Sequence, residues 1–235
     1  MIISLANIKI EINNRFDFLL RLCKDYLCEG EPDFFVEVTD EEIEKERNSS
    51  ELQHSEGYLE CVCAYRKIGQ ILPHYNAFIL HSAAVEIDGN AYLFLAKSKV
   101  GKTTHVRFLK ELLGDRLTII NGDKPIVRFI DDKPFVFGTA WQGKENFGCN
   151  KSAPIKALVF LQRGEKSEIT ELEKQFAAMP LMRQILIPKD EETAKKALSL
   201  ADKILNETKL YSLFATNDIE SAKVSFSMIG EENGH

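Results

Sequence analysis

Residues 93–114 read LFLAKSKVGKTTHVRFLKELLG, and their order of strand, loop and helix decides the fold. The opening Leu-Phe-Leu is a short apolar strand end, and Val106, Leu109, Leu112 and Leu113 recur at helical spacing before Gly114, a residue suited to the left-handed position that ends a helix. Between them stand Ala96, Lys97, Ser98, Lys99, Val100, Gly101, Lys102 and Thr103, with Thr104 next. Seven of these eight positions fit G-x-x-x-x-G-K-[ST], and Ala96 takes the place of the first glycine. That pattern works because backbone N–H groups at a helix N-terminus surround a phosphate while the lysine adds a point charge and the hydroxyl meets Mg²⁺. Ala96 and Lys99 bring side chains where such a loop often uses glycine's freedom.

Outward from the loop, FILHSAAVEI, the turn DGN and AYLFLA predict a strand, an Asp-Gly hairpin and a second strand. Downstream, LTII, the polar NGDK, PIVRFI, a turn at DDKP and FVFG predict antiparallel hairpins beside a strand-helix-strand crossover, hence a mixed sheet. The strand ALVFLQR follows. Ala194, Ala197, Leu198, Ala201, Ile204 and Leu205 then mark a helix, and the strand YSLFAT leads to a last helix with a capping box at Asn217 and Glu220. Upstream, ISLANIKIEI, RFDFLLRLCKDYL, FFVEVT and a helix capped by Thr39 and Glu42 form a small α+β unit. The polar run NSSELQHSEG precedes a helix that ends at Pro73. The expected division is 1–57 for the small unit and 58–235 for the nucleotide-binding domain, an α/β fold of mixed character.

The net charge of −6 gives no chain-wide basic surface for nucleic acid, so attraction to phosphate is expected to be local. The apolar start is broken by Asn7, Lys9 and Glu11, and neither a signal peptide nor a membrane span is expected. The five cysteines, Cys23, Cys28, Cys61, Cys63 and Cys149, have no zinc-like spacing and suit a reducing cytoplasm.

Four segments in order, HSAAVEIDGNAYLFLAKSKVGKTTH, NGDKP, GTAWQGKENFG and PIKALVFLQRGE, resemble the HPr kinase/phosphorylase-like P-loop proteins, whose nucleotide fold is related to that of phosphoenolpyruvate carboxykinase. The resemblance runs from Tyr58 to the C-terminus. It implies ATP or another nucleotide on residues 96–104, Mg²⁺ on Thr103 and Asp123, and His81 as an active-site residue. HPr kinases usually carry two adjacent aspartates where this chain has Gly122 and Asp123, so Asp123 is left as base or metal ligand. In the loop GTAWQGKENFG, Lys144 is a candidate to neutralise a moving phosphoryl group and Glu145 to supply the second carboxylate. Arg163 is a weaker phosphate candidate.

These residues imply a Mg²⁺-dependent kinase acting on a hydroxyl of a protein, a peptide or a small molecule. A non-catalytic nucleotide- or phosphate-binding regulatory module is the second reading, and a carboxykinase the third. Related kinases form homo-oligomers, which the resemblance extends to this chain as an expectation.

Overall fold

The computed structural model describes residues 1–49 and 52–231, the last by its backbone alone, so positions 50 and 51 of the polar run lie outside the described residues. The stretch expected as one strand at the start is a hairpin: β1 (Ile2–Leu5) and β2 (Ile8–Asn13) reverse at Ala6 and Asn7, whose φ angles of 52° and 59° give the turn that matches strand twist. Then come α1 (Asp17–Leu22), β3 (Phe34–Glu37), α2 (Asp40–Ser49) and α3 (Glu56–Ile71), with β3 parallel to β2. The Thr39 capping box holds: the Thr39 N–H donates to Glu42 Oε2 at 2.9 Å and the Glu42 N–H to Thr39 Oγ1 at 3.3 Å.

A nine-stranded mixed sheet follows. FILHSAAVEI is two strands, β4 (Ala77–Ile79) and β5 (Ala83–Ile87); β6 (Asn90–Leu95) closes the Asp-Gly hairpin through Asp88 and Gly89, both at positive φ. Helix α4 (Lys102–Leu113) then crosses to β7 (Leu117–Asn121), leaving β5 between β6 and β7. β8 (Ile126–Ile130) and β9 (Lys133–Phe137) turn at Asp131 and Asp132, and the long β10 (Ser152–Arg163) joins the antiparallel and parallel parts. β11 (Glu168–Glu171), α5 (Lys174–Met182), α6 (Glu191–Glu207), β12 (Lys209–Ala215) and α7 (Ile219–Glu231) complete the chain.

β6 and β10 show why the sheet is covered on both faces. Leu93, Leu95, Leu158 and Phe160 enter one core with α5 and α6, while the alternate Tyr92, Phe94, Val159 and Leu161 enter another with α4 and α7. In α6 the buried stripe is Thr193, Ala197, Leu200, Ala201, Ile204 and Leu205; Leu198, expected in the stripe, faces solvent, and Leu200 is buried instead. The α7 cap is Asp218, not Asn217, because Asp218 Oδ1 accepts from the Glu220 N–H at 3.0 Å. Among the described residues no helix is long and apolar enough to cross a membrane.

The bonded order of the main sheet is β4-β8-β9-β10-β6-β5-β7. β4 and β5 thus lie toward opposite ends, yet only residues 80–82 separate them, and residues 122–125 likewise join β7 to β8. So short a link reaches roughly 14 Å at most, so the sheet curls until its ends come together. The two links run side by side: the Leu80 N–H donates to Pro125 O and the Ser82 N–H to Asp123 O, each at 3.1 Å.

The N-terminal strands and helices share one core with β4 and with Phe137, Ala140 and Trp141. Glu60 on α3 is wholly buried and accepts from the backbone N–H groups of Arg15 at 2.7 Å and Phe16 at 3.2 Å, where α1 starts without a cap of its own. On the other side, His105 of α4 is buried with its ring nitrogens 3.2 Å from Ser221 Oγ and 3.1 Å from Ser225 Oγ of α7.

Glu60→Ala removes the acceptor of two backbone N–H groups at the start of α1 and is expected to lower stability by about 1–3 kcal/mol in urea denaturation. Burial pushes His105 down to about 4. Its neutral ring therefore favours the fold above pH 6.5, and that contribution, about 3 kcal/mol, is lost as pH falls from 6.5 through about 4. Denaturation midpoints between those limits are expected to fall more steeply in the native protein than in His105→Asn.

Candidate functional site

The seam where the sheet ends meet carries the site. His81 lies on the link between β4 and β5, its N–H donating to Gln184 O at 2.8 Å, and Asp123 lies on the link between β7 and β8. The second link is shaped by Asn121, wholly buried, whose Oδ1 accepts from the Asp123 and Lys124 N–H groups at 2.9 and 2.8 Å. Asn121 Nδ2 in turn donates to Thr139 O at 3.1 Å. The Asn-Gly-Asp stretch is thus both an Asx-type turn and the mount of a carboxylate.

Lys102, the first residue of α4, completes the cluster: its Nζ is 2.8 Å from His81 Nε2, which is itself 3.2 Å from Asp123 Oδ1. One ring nitrogen faces a cation and a carboxylate, so it either accepts from the ammonium or, carrying a proton, donates to Asp123. Burial pushes Lys102 down to about 8 against the pull of Asp123. Burial raises Asp123, but the His81 hydrogen bond and the charges of Lys124 and Lys102 outweigh it and hold the carboxyl below its ordinary value. The arrangement is an ionised carboxylate beside an ammonium short of counter-charge, which an entering anion would supply.

Along the loop, Ala96 is buried and has no positive φ, so the missing first glycine costs no backbone freedom. The left-handed positions are Lys99 (φ 65°) and Gly101 (φ 122°). Lys99 bears strain there, and Arg163 steadies it: Nη2 donates to Lys99 O at 2.9 Å and Nε to Val100 O at 3.2 Å. Arg163 is a prop of the loop. Lys97 and Ser98 are exposed, and Val100, Thr103 and Thr104 are half-buried. No side chain caps the first turn of α4, and space is open where a Cβ on Gly101 would stand.

The loop, His81 and Asp123 line a cleft of about 1040 Å³, together with Phe18 and Leu22 of the α1 helix and Tyr58 of α3. Lys144 and Glu145 also line it, on an exposed turn. Glu145 is paired with Arg107, and Lys144 has no hydrogen-bond or ion-pair partner among the described residues. The structure therefore gathers Lys102, His81 and Asp123 and keeps Glu145 engaged elsewhere. Trp141 packs inward, stacked on Tyr65 with ring centroids 4.4 Å apart and its Nε1 donating to Cys61 O at 3.3 Å. Sequence reasoning missed Lys124, whose Nζ is 4.0 Å from Asp123 Oδ2, although it is the neighbour of the chosen aspartate.

Among the described residues no cluster of three His, Cys, Asp or Glu side chains stands ready for a metal ion. Thr103 and Asp123 could supply one hydroxyl and one carboxylate, the sparse donor set that suits Mg²⁺ when phosphate oxygens and waters fill the remaining positions.

No protein-family model matches the chain, and no curated protein matches it. Among solved structures it is similar to the HPr(Ser) kinase/phosphatase from Coxiella burnetii at 7% identity and a TM-score of 0.38, over 66% of this chain and 93% of that one, a likeness too distant to carry a functional argument.

Gly122 precedes Asp123, and a Cβ there would lie 3.1 Å from Gln142 O and 3.2 Å from both Phe147 Cβ and Phe147 O. Gly122→Asp is therefore expected to displace the loop 142–147 and cost about 1–3 kcal/mol, read as a lowered thermal midpoint.

Proposed function

We propose that the protein is a phosphotransferase that takes the terminal phosphoryl group of ATP or a similar nucleoside triphosphate and passes it to a hydroxyl. The observation that carries this reading is the meeting of Lys102, His81 and Asp123 in a cleft floored by an uncapped helix N-terminus.

The N–H groups of the first turn of α4 and the Lys102 ammonium receive the phosphates. The Thr103 hydroxyl would hold Mg²⁺, which would supply charge neutralisation on the phosphate oxygens. Asp123, kept ionised by its neighbours, accepts the proton of the acceptor hydroxyl. As that oxygen bonds to the terminal phosphorus, the bridging P–O bond breaks and its electron pair leaves with the diphosphate. His81 spans Lys102 and Asp123 and sets their spacing.

The tight packing around Gly122 favours a second reading, in which a site limited to a single aspartate binds nucleotide as a signal and performs no transfer. Two variants separate the readings. Lys102→Ala is expected to weaken ATP binding at least about tenfold in a calorimetric titration with Mg²⁺. Asp123→Asn is expected to retain nucleotide and lose about 10²- to 10⁴-fold in acceptor-dependent ADP release. Transfer by Asp123→Asn at the native rate would sink this mechanism; saturable ATP binding without any phosphorylated product would select the binding module.

A further inference from the structure

A second cavity, of about 450 Å³, opens beside the first. His81, Asp123, Lys124, Trp141 and Val62 line both, whereas no residue of the loop 96–104 lines the second. His81 and Asp123 are therefore shared by a chamber that holds the loop and one that does not. In phosphoryl transfer the entering and leaving oxygens lie roughly in line on opposite sides of the phosphorus, so a chamber that shares the proton-accepting carboxylate but not the loop is where an acceptor belongs.

The chemistry of this chamber is one-sided. Ile79, Ile185 and Leu186 give it an aliphatic wall, and Asp123 is its sole carboxylate among the described residues, against Lys124, Arg66 and Arg183. Arg66 is paired with Glu46, and Lys124 stands near Asp123 and over the Tyr65 ring. The exposed Arg183 guanidinium has no hydrogen-bond or ion-pair partner among the described residues. Its backbone is nonetheless fixed: the next residues bridge to the β4 end, with the Leu80 and Ile185 pair in β-bridge contact and the His81 N–H on Gln184 O. A planar cation without a partner, set beside an aliphatic wall, suits a carboxylate on a short carbon chain.

We propose that this second cavity is the acceptor site and that the acceptor is a small aliphatic hydroxy acid, its carboxylate on Arg183 and its hydroxyl toward Asp123. The volume suits a small molecule. This inference rests on the phosphotransferase reading. The step balances as that reading requires: the hydroxyl proton goes to Asp123, the acceptor oxygen bonds to phosphorus, and the diphosphate leaves with the broken bond's electron pair.

Trp141 is the single tryptophan and lines both chambers, so its fluorescence reports on each. Glycolate, lactate, glycerate and 3-hydroxybutyrate are titrated into the full chain with and without Mg·ATP, beside their methyl esters and beside Mg·ATP alone. At least one acid is expected to give a saturable change in the millimolar range or below, weakened at least about tenfold in Arg183→Ala and partly restored in Arg183→Lys. Because Arg183 is exposed and unpartnered, its removal is expected to leave the thermal midpoint in place. Response to none of the acids while Mg·ATP binds overturns the acceptor site and spares the nucleotide reading. Acid binding without Mg·ATP binding does the reverse. Esters that bind as tightly as the acids overturn recognition through Arg183.

Discussion

The structure depends on two short chain links. Residues 80–82 and 122–125 each connect strands that stand far apart in the bonded order of the sheet, and chain length forbids these links from spanning a flat sheet. The sheet must curl, and the links come to lie together with hydrogen bonds between them. His81 and Asp123 face each other because the connections that carry them are forced into contact. Lys102 arrives from a third direction, at the start of the helix after β6, and is held by the same curl.

Polar groups taken from water in this seam are compensated by one another. Asn121 serves two backbone N–H groups on one side and Thr139 on the other, and Tyr65 donates from α3 to Lys124 O at 2.8 Å. Such a network fixes the direction of the Asp123 carboxylate more tightly than a solvated loop could, since a displaced member would leave a buried partner unsatisfied. The lysine has the opposite character. Its ammonium is buried beside a histidine with little compensating charge, a tension that the fold tolerates at this position.

Local chemistry was the legible part of this sequence. The strand-loop-helix order around Gly101, the hairpins at Asp88-Gly89 and at Asp131-Asp132, and the Thr39 capping box are each decided by residues a few positions apart, and each stands where expected. FILHSAAVEI was misread as one strand because its flanks are apolar throughout; the break at His81 comes from pairing with β8 on one side and with β6 and β7 on the other, a long-range choice without a local mark. The three central residues could be named from the motifs, but their contact could not. Helix α5 is not legible locally: Pro180 stands inside it, and the outward Phe176 and Met179 blur the stripe of Ala177 and Leu181. Arg183 at its end was missed with it.

The N-terminal third shares its core with β4 and Trp141, and its helices contribute lining residues to the cleft. Its sequence is therefore subject to two demands at the same positions. A substitution at Phe18, Leu22 or Tyr58 that reshapes the cleft also alters the packing of α1 against α3. Change in ligand preference through these residues would have to come by compensated pairs of substitutions, and the unit could not be exchanged as a free module.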